Sequence, residues 1–542
     1  MAQQQELSQP GPEPLPPPWQ QPQPPRHRGN RAKRAAAASD PSRVWLPELV
    51  QRVARSLDPN EIACTLRLVS KATAAQFPAP AHTAVRLSLP APAAEFARRW
   101  ASAGAMCSLT LKQRRRLLCL VAASGDTRNL RALVQALPDH CPLRADVFAA
   151  AAGAGQLEAC RWLRDNGCPW GMRAPPAAAA AGHWALFDWL RTNSCPGVVL
   201  AWFDAARGGH VGLLDWLLQS HPAGRNHYLL ECAAEGCPLP TLQRLLDRYG
   251  QGFAGRDLAR FGAAAVASRT PDWMAKVEWL EERGCPRTAQ ACAAAVSLRD
   301  AWRPRLLWLR ARGYPLGLEV VNRASCRGNA PALEYLLDEG VRLEPDMAWL
   351  WVGRAAVDGS LAVLQVLRAR GCPLEASFVL DAAKGGHLPV VAAAARSGSL
   401  PLAVWLRERG CPWGAGVFAS AAEAGCEELL EWLAEQGCPM GESDEPYVRA
   451  AGNGDLATLR CLRRLGCPWN PTCETVARAV RAADGRHCCA VPALAWLLEQ
   501  GCAVDWVAAV VAARSWVQED ASEVKRWLAT QQPALVPEMP PW

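Results

Sequence analysis

The sequence predicts an all-α solenoid: helix pairs stacked side by side, entered through a small helical module and preceded by a low-complexity tail. Three observations predict it. A phrase of the form Trp-Leu-x-x-x-Gly-Cys-Pro returns along the chain, as WLRDNGCPWG (162–171), WLEERGCPRT (279–288), WLRERGCPWG (405–414) and WLAEQGCPMG (432–441). Its cysteine slot falls at Cys141, Cys168, Cys195, His221, Gln251, Cys285, Tyr314, Val341, Cys372, Cys411, Cys438, Cys467 and Cys502, which sets a base unit of about 27 residues. Within each unit, two apolar stretches of helical spacing are parted by glycine.

The chain has 542 residues, 50% apolar and 20% charged, enough apolar material for a long continuous core. No apolar run reaches the roughly 18 residues of a membrane span. The opening MAQQQELSQP lacks the apolar stretch of a secretory signal. The net charge of +8 is unevenly placed. Residues 1–120 hold 17 Lys and Arg against 7 Asp and Glu, whereas the rest holds 42 against 44. Bulk charge therefore suggests no basic groove in the array, and nucleic acid is not expected as its partner. Nine of the 22 cysteines stand at the repeat slot, and the cysteines read as reduced, half-buried thiols of a cytoplasmic or nuclear protein.

Residues 1–40 are rich in Pro, Gln and Ala, as in PGPEPLPPPWQQPQPP. So little apolar bulk cannot offset the entropy of ordering, and a disordered, partly polyproline-II tail is expected. Its basic run Arg26–Arg34 reads as a solvated linker, with a targeting signal as the sharper alternative. Residues 43–77 predict two or three short helices. Pro47 suits a first helical turn, where its missing N–H costs nothing, and Leu46, Leu49, Val50, Val53 and Leu57 follow helical spacing. Asp58 and Glu61 stand at capping-box distance, and Ile62, Leu66 and Val69 make the next stripe.

Leu46-Pro47-Glu48-Leu49-Val50, Leu57, Leu66 and Leu68-Val69-Ser70-Lys71 resemble an F-box, although Ala74-Ala75-Gln76-Phe77 stands where that family has a tryptophan. The resemblance implies a face made of Leu46, Pro47, Leu49, Val50, Val53, Leu57, Leu66 and Val69, which would dock the small adaptor of F-box-type cullin-RING ubiquitin ligases. The alternative is a helical cap for the array, since solenoids need polar-faced ends.

Residues 78–116 form a proline-rich connector with a short helix near Phe96–Trp100; Arg114-Arg115-Arg116 is expected at the exposed start of the next helix. The array spans 117–530, and 531–542 is a short C-terminal tail. In the unit 145–171, ADVFAAAA makes a first helix, Gly153 and Gly155 end it, and Leu157, Cys160, Trp162 and Leu163 mark a second. Asn166-Gly167 and Pro169 stop that one. A pair alone cannot bury its apolar face, so neighbours stack. Trp162, Trp189, Trp279, Trp308, Trp405, Trp432 and Trp496 lie six residues before the slot and read as packing between units. Cys168, Cys285, Cys372, Cys411, Cys438, Cys467 and Cys502 read as structural too. The irregular units, 221–251 and 372–411, are where a local break in the stack is expected.

The stretches 151–167, 205–220, 421–437 and 450–466 follow Ala-Ala-x-x-Gly-His-Leu-x-x-aliphatic-x-x-Leu-Leu and resemble ankyrin repeats. The period of about 27 is shorter than that family's 33, and the Thr-Pro-Leu-His opening is missing, so the protruding hairpins should be short or absent.

No catalytic, cofactor or metal residues are assigned. His183, His210 and His387 occupy the Gly-His turn and are expected to bond backbone between the two helices. Cysteines one per unit stand too far apart to share a tetrahedral zinc, and the close cluster His487-Cys488-Cys489 is a weak signal alone. A non-enzymatic adaptor is therefore expected: the array holds a client protein on an open concave face, near Arg207, Glu235, Arg269, Arg327, Lys384, Glu423 and Asn453, and the F-box-like module brings a ligase. A scaffold without a ligase role and nucleic-acid association through the basic first 120 residues are the alternatives.

Overall fold

The computed structural model describes residues 45–102, 104–136, 143–220, 226–253, 255–298, 300–343, 348–372, 390–411, 413–469, 471–483, 491–514 and 521–531. The expectations for residues 1–44, Cys141, His221, Lys384, His387, His487-Cys488-Cys489 and 532–542 lie outside them. Two compact units divide the chain after Val85. Among the described residues there is no strand.

The first unit holds helices Pro47–Ala54, Pro59–Cys64, Lys71–Gln76 and Pro80–Thr83, with a 3-10 turn at Leu66–Leu68. The Glu61 carboxylate accepts from the Asp58 N–H at 3.1 Å, as the capping-box spacing predicts. Ser70 caps the third helix by accepting from the Thr73 N–H at 3.1 Å. Val50, Ala54, Ile62, Leu66 and Phe77 close a small core, with Leu57 half-buried against it.

The second unit is the solenoid. Its helix pairs are Leu111–Ser124 with Thr127–Ala136, Ala145–Gly153 with Leu157–Asp165, Ala174–Ala180 with Trp184–Thr192, Ala201–Gly208 with Val211–Ser220, and His227–Gly236 with Leu239–Tyr249. Then come Arg256–Ala267 with Trp273–Glu282, Ala289–Val296 with Trp302–Ala311, Leu318–Cys326 with Ala330–Asp338, and Ala348–Val357 with Leu361–Ala369. The last are Val390–Ser397 with Leu400–Glu408, Ala415–Ala424 with Glu427–Glu435, Glu445–Gly452 with Leu456–Arg464, Thr475–Ala482 with Val491–Glu499, and Trp506–Arg514 with Ala521–Gln531. Helix Ala93–Trp100 precedes them and packs on Thr127–Ala136.

First helices pack on first helices throughout, whereas second helices meet their neighbours more sparsely. Side-chain size is the cause. The first helices are built of alanine, as in Ala151, Ala152, Ala178, Ala179, Ala205 and Ala206, all fully buried, so backbones approach closely. The second helices bury leucines, among them Leu163, Leu190, Leu280, Leu309, Leu406, Leu433, Leu462 and Leu497. The irregular units do not interrupt the row: Ala348–Val357 packs on Val390–Ser397, and His227–Gly236 joins Ala201–Gly208 to Arg256–Ala267.

The recurring Gly-Cys-Pro has a defined geometry. After the second helix the Gly167 N–H donates to Arg164 O at 3.0 Å and the Cys168 N–H to Leu163 O at 2.9 Å, with Gly167 at φ +78°. This is the double bond that ends a helix through a left-handed residue. The cysteine is the residue whose side chain then turns back into the stack. Its thiol donates onward, Cys168 to Arg144 O at 3.2 Å and Cys285 to Leu258 O at 3.1 Å, tying the end of each pair to its beginning. Ser194 takes the glycine place at φ +56° and is the non-glycine residue with positive φ among those described. Ser194→Gly is therefore expected to stabilise the protein by about 1 kcal/mol, since a side chain in that conformation costs about 1–2 kcal/mol. The check is a shift of the denaturant midpoint with unchanged slope.

Candidate functional site

The first surface of interest is the beginning of the solenoid. Residues 86–136 carry Arg86, Arg98, Arg99, Lys112, Arg114, Arg115, Arg116, Arg128 and Arg131 against Glu95 and Asp126. Helix Ala93–Trp100 buries Phe96 and leaves Arg98 and Arg99 in solvent. Arg98 pairs with Glu95, and the Arg99 guanidinium lies 4.2 Å over the Trp100 ring. Asp126 accepts from the N–H groups of Arg128 and Asn129 at 3.0 and 3.1 Å, so its charge serves the helix start there. Lys112, Arg116, Arg128 and Arg131 are exposed. Elsewhere many arginines are paired with carboxylates. Along the first helices Arg396 and Arg449 share Glu423 at 3.0 and 2.8 Å, Arg449 also meets Glu445, and Arg478 meets Asp444 at 2.6 Å. Arg207 bridges Asp204 and Glu235.

The second surface is a seam. Residues 107–115 lie against the glycine turns of three late pairs. The Arg114 guanidinium, 1% exposed, donates through Nη2 to Asp455 Oδ2 and to Gly425 O, both at 2.7 Å. Asp455 is fully buried and also accepts from Thr458 Oγ1 at 2.8 Å. Arg115 Nη2 donates to Asn453 O at 2.7 Å, and the Glu428 N–H donates to Cys107 O at 3.1 Å. A Cβ on Gly398 would come within 2.0 Å of the Thr110 methyl. Two clefts flank the contact. One, about 420 Å³, is lined by Lys112, Arg115, Asp358, Arg396 and Glu423 among others; the second, about 510 Å³, by Ser108, Ser397, Ser399 and Glu428.

The expectation of an exposed Arg114-Arg115-Arg116 is thus corrected: Arg114 is a buried partner of Asp455 and Arg115 is half-buried, while Arg116 alone of the three stands in solvent. The expectation of an open concave face is corrected with it, because the start of the array contacts its own late repeats. No local sequence pattern signals a contact between residues 341 apart. The positions expected on an open face divide. Arg207, Glu235, Glu423 and Asn453 are engaged with neighbours, whereas Arg269 and Arg327 are exposed.

The F-box-like face also divides. Val50 and Leu66 are core residues at 1% and 6% exposure and offer nothing to a partner, and Leu57 is half-buried. Leu46, Pro47, Leu49, Val53 and Val69 are exposed. The repeat tryptophans Trp162, Trp189, Trp279, Trp308, Trp405 and Trp432 are half-buried; Trp496 is buried. They make an edge rather than a centre: Trp170 meets Phe148 and Trp189 at 5.3 and 5.6 Å, Trp413 meets Trp432 at 5.7 Å, and Arg283, Arg312 and Arg409 stack over Trp279, Trp308 and Trp405. The histidines pack rather than bridge. The His183 ring lies over Gly155 and that of His210 over Gly182, where added Cβ atoms would come within 2.7 and 2.4 Å.

Cys168, Cys285, Cys372, Cys411, Cys438, Cys467 and Cys502 are all buried. Burial pushes the thiols of Cys285, Cys438 and Cys467 up to about 11 and that of Cys195 up to about 12. Such thiols stay protonated at neutral pH and are poor nucleophiles and ligands. Among the described residues, no group of three or more His, Cys, Asp or Glu could hold a metal ion, and no helix is long and apolar enough to cross a membrane.

No known protein family matches the sequence, and no curated protein does. Among solved structures, the pentatricopeptide repeat protein PPR10 in complex with an 18-nucleotide psaJ RNA element is similar at 14% identity, over 92% of this chain and 93% of that one, with a TM-score of 0.21. PPR10 from maize is similar at 11% identity over 93% and 98%, with a TM-score of 0.17. Scores this low make no argument about binding. Two expectations are nonetheless corrected. The reading as the client receptor of a ubiquitin ligase is withdrawn, since no F-box family model matches the sequence and Val50 and Leu66 of the expected docking face are core residues. The dismissal of nucleic acid as a partner is withdrawn as well: it weighed the near-neutral array and set aside the 17 Lys and Arg against 7 Asp and Glu of residues 1–120.

Proposed function

We propose that this chain is a non-enzymatic helical-repeat scaffold that associates with nucleic acid through its basic N-terminal region. The Ala-Ala-x-x-Gly-His-Leu phrase supports reading its units as a shortened, ankyrin-type repeat. One observation carries the reading: the net positive charge of the sequence lies at its beginning, with 17 Lys and Arg against 7 Asp and Glu in residues 1–120 and 42 against 44 in the rest. Exposed Arg99, Lys112, Arg116, Arg128 and Arg131 can each neutralise a phosphate, and the release of counterions drives such binding. Trp100, half-buried beneath Arg99, offers a ring beside that charge.

The test is fluorescence anisotropy with 20-mer single-stranded RNA and duplex DNA between 50 and 200 mM salt. With about four phosphate contacts to a single strand, affinity should fall about 50-fold over that range. The triple reversal Arg99→Glu, Lys112→Glu, Arg116→Glu should weaken binding by about tenfold or more, while Arg269→Glu in the array leaves it unchanged. Salt-independent binding, or none by the intact protein, would overturn the reading.

A further inference from the structure

The seam differs in kind from the contacts between repeats. Repeat contacts are continuous walls of buried Ala and Leu, which supply the apolar stabilisation of the array. The seam is short and mostly polar: one fully buried ion pair, hydrogen bonds from Arg114, Arg115 and Glu428, the Cys426 thiol 3.9 and 3.8 Å from Cys107 O and Ser108 O, Leu111 beside Gly425, and the Thr110 methyl on Gly398. Clefts of about 420 and 510 Å³ leave both its flanks unpacked. A buried ion pair fixes one geometry while adding little net stability, because desolvation offsets the attraction. Two of the helix starts at the seam are also capped without its help. Thr110 and Gln113 cap their own helix reciprocally at 2.8 and 3.1 Å, and Asp455 caps Leu456–Arg464 through Thr458.

We infer that the seam is a latch: residues 107–115 close the solenoid onto the turns at Gly398, Gly425 and Asp455, with Arg114 as the catch, and they release as a unit while every repeat stays folded. Such a contact is the low-stability end of a structure whose other interfaces share a continuous buried apolar core. The inference is independent of any nucleic-acid role.

The Glu428 amide reads the latch directly. It lies in the first turn of Glu427–Glu435, where no acceptor exists within the helix, and its acceptor is Cys107 O across the seam. Hydrogen exchange of the full chain, resolved to single amides by electron-transfer fragmentation, should show Glu428 exchanging about tenfold or more faster than Leu433. Arg114→Met, which keeps the stem and removes the charge, should accelerate Glu428 by a further tenfold or so. Interior amides of that helix and the helical circular dichroism should not change. Equal rates at Glu428 and Leu433 in the natural protein would overturn the inference, as would an unaltered Glu428 rate in Arg114→Met. Loss of helix in that variant would overturn it too, since a latch comes away without unfolding what it closes.

Discussion

Leu433→Ala lowers the stability of the repeats around it by about 3–4 kcal/mol. The side chain is fully buried in the row of second helices, and its carbonyl accepts the Cys438 N–H at 2.9 Å to end the helix. Truncation leaves a cavity walled by rigid first helices that cannot collapse into it, so the upper part of the usual range applies. The adjacent Trp432→Leu costs only about 1–2 kcal/mol: the ring is half-exposed, and what disappears is mainly its edge contact with Trp413, worth about 0.5–1.5 kcal/mol. Urea unfolding followed by circular dichroism, with exchange at residues 415–464 to localise the effect, checks both. A Leu433→Ala shift no larger than that of Trp432→Leu would mean that the indoles, not the leucines, carry the stack.

Gly236→Ala costs about 3 kcal/mol for a different reason. The added Cβ would stand 2.1 Å from Arg207 O and 2.3 Å from Ala206 O, both backbone atoms that no rotamer change can move. The first helices Ala201–Gly208 and His227–Gly236 would have to part, and the Cys237 thiol would lose its bond to Ala206 O at 3.3 Å. Gly437→Ala is the control: it meets nothing within 4 Å and pays only for its left-handed backbone, about 1 kcal/mol. The same unfolding measurement should separate the two; equal losses would show that the close approach at Gly236 relaxes freely.

The helix pairs were legible because their signals are local. Glycine and proline positions, alanine-rich first stretches and leucine spacing within nine residues dictate Ala145–Gly153 and Leu157–Asp165 directly. The rank of the side chains was less legible. Tryptophan is the more conspicuous letter in Trp-Leu, but helical geometry turns the leucine inward and leaves the indole on the edge. The same geometry hid Val50 and Leu66 among exposed partners of one stripe. Arg114-Arg115-Arg116 reads as a solvated run, and only the closing of the chain on itself shows that one of the three is buried against Asp455. Pairings across the whole array depend on small rotations accumulated over many units, and no short stretch encodes them. The basic beginning was visible in composition, and the structure adds that Arg99, Lys112, Arg116, Arg128 and Arg131 are exposed there.

The two edges of the array differ in how much added length they accept. On one edge each turn glycine is roofed by the next unit, Gly125 by Gln156 and Gly155 by His183, so an extra residue there would pry neighbours apart. On the other edge Gly167, Gly284, Gly313, Gly410, Gly437, Gly466 and Gly501 face open space, and the buried residue just beyond, Tyr314 after Gly313 and a cysteine after the others, anchors the chain before it wanders. Spacing between slots can accordingly stretch from 26 to 39 residues while the row of first helices continues. A reporter domain or epitope spliced in after a Cys-Pro would leave the rest standing, which makes that side of the molecule the natural place to attach a handle.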